Sequence, residues 1–372
     1  MAESAAGAET NQTTPITPTP PGRPHVGTRA SLGGRLKSSP IIASRVEDIA
    51  SLRPEWECLL SQSPADTIFL SWEWQSLWWR VFGTSLGQTG TQLHALTGRD
   101  ADGLIGIAPL LRVGRELHFS GGDEIADFLD YLATPGREAE MASLILDHAD
   151  EIGWDLIDLR NLREESLGLG YLVPEARKRG LLVEVEQEDV SPKIVLPPTW
   201  EAYQESLSKK DRHELRRKLR RLQSAGQVTW GAVGDPVTRR ADVAEFIKLH
   251  RLSADAKADF MTAEMEEWFQ SLVEHFEPLG KLRLYFLEID GVRAASVILF
   301  DYKNRFLLYN SGYDPEFARL SVGLALKAYC IHDAIALGRE TLDCLQGSES
   351  YKYDLGAKDA PIYHVCIRPA GG

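Results

Sequence analysis

The chain has 372 residues, 43% of them hydrophobic and 26% charged, and 54 acidic against 41 basic residues leave a formal charge of −13. A chain of this length is long enough for two domains and excludes a single small binding module. Its acidic balance excludes a protein whose main task is to coat nucleic acid or an anionic membrane.

Residues 1 to about 40 are rich in Thr, Pro, Gly and Ser with almost no large apolar side chain, so a disordered tail is expected. Arg23, Arg29, Arg35 and Lys37 fall between Glu9 and Glu47 with no acidic residue, a composition that a transit peptide shares; a solvated tail is the plainer reading. No apolar run approaches the ~20 residues that cross a bilayer, and no apolar segment follows a basic start. Cys58, Cys330, Cys344 and Cys366 are scattered without a CxxC, and neither HExxH nor a His/Cys cluster offers metal-ligand spacing. Reduced cysteines, no metal and a cytoplasmic address are expected.

From Ile41 the same order of elements occurs twice. Ser71 caps a predicted helix with Trp74, Trp78 and Val81 on one face; Thr262 caps another with Met265, Phe269, Leu272 and Phe276 on one face. A hairpin around Asp102-Gly103 and a third strand, RELHFSGG, follow the first helix; a hairpin around Asp290-Gly291 and the strand RFLLYNSGYD follow the second. A later strand around Asp158 is echoed around Asp343. The offsets of Phe69 to Phe260, Gly103 to Gly291 and Asp158 to Asp343 are 191, 188 and 185 residues, a register that chance would not keep. The reading is a duplicated α/β domain with a mixed sheet in each copy, residues 41–195 and 196–372, the strand PIYHVCIR closing the second.

The passage from RFLLYNSGYD through PEFARLSVG into LALKAYCIHDAIALG is the sharpest local feature. Leu324, Ala328, Ile331 and Ile335 recur at helical spacing, Ser321 is the expected N-cap and Gly338 the stop. A strand that turns into a buried helix leaves free amide N–H groups where the helix dipole favours phosphate, with Gly323 allowing close approach and Arg319 nearby as counter-charge. An ordinary capped core helix is the competing reading.

The order of meander, anion-binding turn, helix ending in Gly and strand LDCL resembles the acyl-CoA core of the GNAT acyltransferases. With FLSWEWQSLWW, SKKDRHELRRKLRRL, GVRAASVILF and LDCLQGSESYKYDLGA, residues from about 41 onward resemble its CelD-like branch, grouped with polysaccharide biosynthesis and related to the FemABX aminoacyltransferases. That resemblance implies a tandem GNAT fold with acyl-CoA, such as acetyl-CoA, held at Arg319, Ser321, Val322, Gly323, Leu324 and Ala325. The family turn is Gln/Arg-x-x-Gly-x-Gly/Ala; here one more residue separates Arg319 from Gly323, while Gly323 and Ala325 fit. The first copy has no such turn after RELHFSGG and is expected to wall the substrate cleft.

The implied chemistry is direct transfer: an amine or hydroxyl attacks the thioester, a base takes its proton and an acid meets the leaving thiolate. A base needs a carboxylate or His whose pKa burial has raised. Asp343 and Glu349 are the candidates for base, Tyr351 or Tyr353 for acid, and Lys352, His250 and Tyr313 for substrate contacts. A structural role for Asp343 competes, since Asp158 holds the matching place. Residues 209–221 carry eight Lys or Arg against Asp211 and Glu214, with Leu215, Leu219 and Leu222 on one face. A solvated helix face packed on the domain junction is favoured over a grip on tRNA or a phosphorylated substrate. There is no GxSxG, and the SxxK of Ser206 and Lys209 lacks partner motifs, so covalent catalysis is not expected. The expected function is acyl transfer to a small-molecule or sugar acceptor; the alternatives are a Fem-like aminoacyl-tRNA-dependent transferase and a noncatalytic subunit of polysaccharide assembly.

Overall fold

The computed structural model describes residues 42–46 and 49–371, and the expected N-terminal tail lies outside them. In the second half one sheet runs in the order Lys193–Val195, Thr341–Asp343, Arg305–Tyr313, Val292–Tyr302, Leu282–Ile289 and Val228–Val233. Asp290 and Gly291 both take left-handed backbone (φ 51° and 80°), the geometry of a tight two-residue hairpin, so the expected turn forms where Asp-Gly stands.

In the first half the strand corresponding to Val292–Tyr302 is broken at Pro109, which has no N–H to give to a ladder. Gly103–Ala108 joins a four-stranded sheet with Ile42–Val46, Ala95–Asp100 and Leu132–Ala133. Leu110–Val113 joins a six-stranded sheet in the order Thr91–Leu93, Leu110–Val113, Glu116–Phe119, Leu156–Arg163, Pro361–Arg368 and Leu182–Val190. The closing strand Pro361–Arg368 therefore does not complete the second copy, as the sequence suggested, but lies antiparallel between two first-half strands. Its inward residues Ile362, Val365 and Ile367 share a core with Ile157 and Leu159. The edge it would have taken in the second-half sheet is occupied by Lys193–Val195.

The two matched helices form as expected. Ser71 accepts the Trp74 amide at 3.2 Å at the start of Trp72–Gln88, and Thr262 accepts the Met265 amide at 3.3 Å at the start of Ala263–Phe276. They meet through Trp74 and Trp268, fully buried and edge to face at 4.8 Å. Each indole N–H is satisfied, Trp74 by the Gly121 carbonyl and Trp268 by the Tyr309 hydroxyl, as buried tryptophans require. Among the described residues no helix is long and apolar enough to cross a membrane.

Candidate functional site

Strands Arg305–Tyr313 and Thr341–Asp343 run parallel for three residue pairs, from Arg305 with Thr341 to Leu307 with Asp343, and then part. Beyond Asp343 the chain follows a different neighbour: the Cys344 amide bonds the Pro192 carbonyl and the Gly347 amide that of Val190. On the other strand a bulge inserts Tyr309 between Leu308, paired with Leu299, and Asn310, paired with Ile298. Bulges bend a strand and re-aim its side chains. The result is a strand edge with no strand partner at Tyr309, Asn310 and Ser311, beside Gln346 of the loop Cys344–Glu349; at Ser311 the carbonyl is met by Lys257 and the amide by the Asn310 side chain.

That edge leads through the short helix Pro315–Leu320 into helix Val322–Ala336. The expected cap at Ser321 is not made. Ser321 is left-handed (φ 56°, ψ 39°), and its hydroxyl accepts a hydrogen bond from the Arg221 guanidinium at 3.0 Å instead of from the first turn. The Ala325 amide bonds the Ser321 carbonyl, while the amides of Val322, Gly323 and Leu324 have no backbone acceptor among the described residues. Three free N–H groups at a helix start with no acidic residue in its first turn leave an end whose dipole favours an anion. Arg221, from helix Lys209–Gln223, is the cation beside it; Arg319 is exposed and bonded to nothing described. A Cβ on Gly323 would lie 3.5 Å from half-buried Tyr313, so Gly323 and Tyr313 are neighbours. Gly338 stops the helix as expected, left-handed at φ 70°, with the Arg339 amide reaching back to Ala334.

Asp343 is 2% exposed and fully engaged: it accepts from the Ser191 hydroxyl (2.7 Å) and the Leu345 amide (3.0 Å), with the Lys193 ammonium at 3.7 Å. Burial raises its pKa, opposed first by Lys193. This is the geometry of a structural carboxylate that ties the inter-half segment to the sheet. Lys352 is similarly committed: its ammonium donates to the carbonyls of Leu345, Gln346 and Gly347 and pairs with Glu349, all within 2.9 Å, and so organises the loop. Glu349 is exposed. Tyr351 is half-buried, its phenol pushed up by burial and then by the charge of Glu349; exposed Tyr353 bonds Asp359. His250 is 1% exposed, packed on Phe246 and against the backbone of Gly312. Burial, with the charge of Lys257, lowers its pKa to about 4, so it stays neutral.

Sequence reasoning missed three groups around the parted strands. Asp127, on the first-half loop Asp123–Asp127, lines a cavity of about 160 Å³ with Phe260, Tyr309, Asn310 and Gln346. Its carboxylate accepts the Gln346 amide at 2.8 Å, and burial raises its pKa to about 7. Lys327, on helix Val322–Ala336, is buried with its ammonium 4.5 Å over the Tyr351 ring; burial, then the charge of Lys257, lowers its pKa to about 8. Lys257, whose pKa burial lowers, bonds the Ser311 carbonyl on the strand edge at 2.5 Å. The only signal in the sequence was that a lysine interrupts an apolar helix at position 327. Cys344 is buried, and burial pushes its thiol up to about 12.

The basic helix Lys209–Gln223 buries Leu215, Leu219 and Leu222 against the second-half core as expected. Its outer side forms a separate cavity of about 390 Å³, where Arg216 and Arg220 face Trp200, His332 and a stacked Trp230–Tyr329 pair. This cavity lies on the flank of the helix, away from the parted strands.

Residues 209–353 match the family described as the acetyltransferase (GNAT) domain. The crystal structure of FemX is similar over 87% of this chain and 96% of that one, at 11% identity and a TM-score of 0.60. So is a C-terminal domain described as that of a lysylphosphatidylglycerol synthetase from Agrobacterium fabrum, over 86% of this chain and 92% of that one, at 12% identity and a TM-score of 0.55. L-PGS from Bacillus licheniformis is similar over 79% of this chain and 92% of that one, at 13% identity and a TM-score of 0.50. No curated protein matches the chain. The fold is a mixed α/β GNAT fold with mixed sheets, and residues 209–353 carry a GNAT-type acetyltransferase domain.

Proposed function

We propose that the protein is a cytoplasmic acyltransferase built from two GNAT-like halves, 41–195 and 196–372. It moves an acetyl or other acyl group from acyl-CoA to an amine or hydroxyl of a small-molecule or sugar acceptor, in keeping with the CelD-like resemblance to polysaccharide biosynthesis. The observation that carries this reading is the juxtaposition of a strand edge that lacks a strand partner with three free helix amides and Arg221. The amides and Arg221 suit the pyrophosphate of CoA, and the strand edge suits the amide groups of its pantetheine arm. Asp127 is the proposed base in place of Asp343: its pKa near 7 lets it take the proton of the attacking amine or hydroxyl at neutral pH. Lys327, near 8, returns a proton to the departing thiolate, a task for which Tyr351 is too weak an acid. Glu349 and Lys352 hold the loop that closes the site, Tyr313 backs the turn, and His250 supports the strand.

Calorimetry with acetyl-CoA tests the reading. Wild type is expected to bind and Gly323→Trp, which fills the approach to the amides, is expected not to. Equal binding by both moves the site elsewhere. The arginine-rich helix and the likeness to FemX support a second reading, in which the donor is an aminoacyl-tRNA. Binding of aminoacyl-tRNA without binding of acetyl-CoA would favour it, and binding of neither would favour a noncatalytic subunit.

A further inference from the structure

We infer that Asp158, His364 and Cys366 bind a zinc ion that staples the C-terminal strand to the first half, with His118 as the fourth ligand. Strand register brings the four together. Asp158 is paired with His118 on one neighbouring strand and with Cys366 on the other, so the three form one row across three strands, and His364 stands two residues from Cys366 on the same face. The Asp158 carboxylate, the His364 ring and the Cys366 sulfur each offer a ligand atom within 4.8 Å of the others. His364 Nε2 is 2.5 Å from Asp158 Oδ1 and 3.3 Å from Cys366 Sγ, and His118 Nδ1 is 3.9 Å from Asp158 Oδ2. Tetrahedral zinc sets such atoms about 3.4 Å apart, near the spacing that Asp158, His364 and Cys366 already have, while His118, within reach of Asp158 alone, has to turn toward the other two to ligate.

The surroundings are those of a metal site and not of a simple ion pair. The outer nitrogen of each histidine faces a carboxylate: His364 Nδ1 is 3.0 Å from Glu186 and His118 Nε2 is 3.3 Å from Glu116. Such partners fix the tautomer that leaves the inner nitrogen free to ligate and make it a stronger donor. Arg160, 3.9 Å from Asp158, opposes a cation, but it also pairs with Glu188, and Arg368 pairs with Glu184. A cysteine ligates zinc as the thiolate, so binding releases the Cys366 proton. Asp, His, thiolate and His form a tetrahedral donor set suited to zinc.

The test uses the full chain, stripped with chelator under a non-thiol reductant and titrated with cobalt(II). One cobalt per chain is expected, with a thiolate charge-transfer absorption that zinc then abolishes by displacement. Cys366→Ser should remove the absorption, and His364→Gln should weaken cobalt binding at least about tenfold. Zinc should raise the unfolding temperature of wild type and not that of Cys366→Ala, circular dichroism having confirmed that each variant folds. No thiolate absorption in wild type, an absorption that survives Cys366→Ser, or an equal zinc shift in wild type and Cys366→Ala would each overturn the inference.

Discussion

Each half sends a helix from the same place in the order of elements, Glu138–Ile152 in the first and Val322–Ala336 in the second, and their N-termini differ in charge. The first has Glu138 and Glu140 in its opening turn, and Arg137 before it is held by Asp100 and Glu140 at 2.6 and 2.7 Å. Acids there stabilise a helix by about 0.3–1 kcal/mol each and repel any phosphate. The second has no acid, a glycine, three free amides and Arg221 beside them. It forgoes that stabilisation and keeps an end whose dipole favours an anion. The polarity of a single helical turn therefore distinguishes the halves: under the proposed function the second end holds the phosphorylated ligand, while the first half contributes a wall and Asp127.

The largest effect is expected where the halves cooperate. Asp127→Asn should lower turnover by about 10²- to 10⁴-fold, the usual worth of a positioned base, and wild-type turnover should rise with pH through about 7 as Asp127 ionises. Asp343→Asn should change turnover far less. The reverse result, Asp343→Asn inactive and Asp127→Asn active, would return the base to the strand. Linkage gives a second readout. Because the folded pKa of Asp127 is raised, the native state binds its proton more tightly, and the group destabilises the fold increasingly from about pH 4 to about 7. Asp127→Asn should therefore unfold at a higher temperature than wild type at pH 8, and the difference should vanish at low pH. An unchanged or lower unfolding temperature at pH 8 would place Asp127 in a well-solvated site.

Next in size is the conversion of one helix end toward the other. Gly323→Glu, which gives the second helix the acidic start of the first, should weaken acetyl-CoA binding more than about tenfold, a cost near 1.4 kcal/mol. Gly323→Ala meets only ordinary contact with Tyr313 and should bind within about threefold of wild type. Arg221→Ala should weaken binding, and Arg137→Ala at the first helix should leave it unchanged. Loss of binding in Arg137→Ala with Arg221→Ala intact would mean that the anion-binding roles of the halves have been assigned backwards.

The smallest effect concerns Arg216, Arg217 and Arg220 on the basic helix. Their replacement by Ala should leave tRNA affinity and its salt dependence unchanged. A drop of about 0.9 per lost contact in the log–log salt slope would instead make the helix a nucleic-acid grip.

The matching elements were legible because their evidence is local and repeats: capped helices at Ser71 and Thr262, Asp-Gly hairpins and a constant offset. The apolar face of the basic helix and the stop at Gly338 were legible for the same reason. What the sequence hid depends on long-range pairing. PIYHVCIR reads as the end of the second copy, but Lys193–Val195 occupies that sheet edge and the strand pairs with the first half. Ser321 has the composition of a cap but not its backbone, because the chain arrives from a short helix and turns left-handed. Asp127 and Gln346 are 219 residues apart, and Asp158 and His364 are 206, so neither pair leaves a spacing to recognise.

The most direct measurement of the central claim is amide hydrogen exchange with and without acetyl-CoA. The account predicts new protection at Val322, Gly323 and Leu324 and along Tyr309 to Ser311, with none at the start of the first-half helix near Glu138. Protection at Glu138 to Met141, or saturated binding that leaves Val322 to Leu324 unprotected, would contradict it.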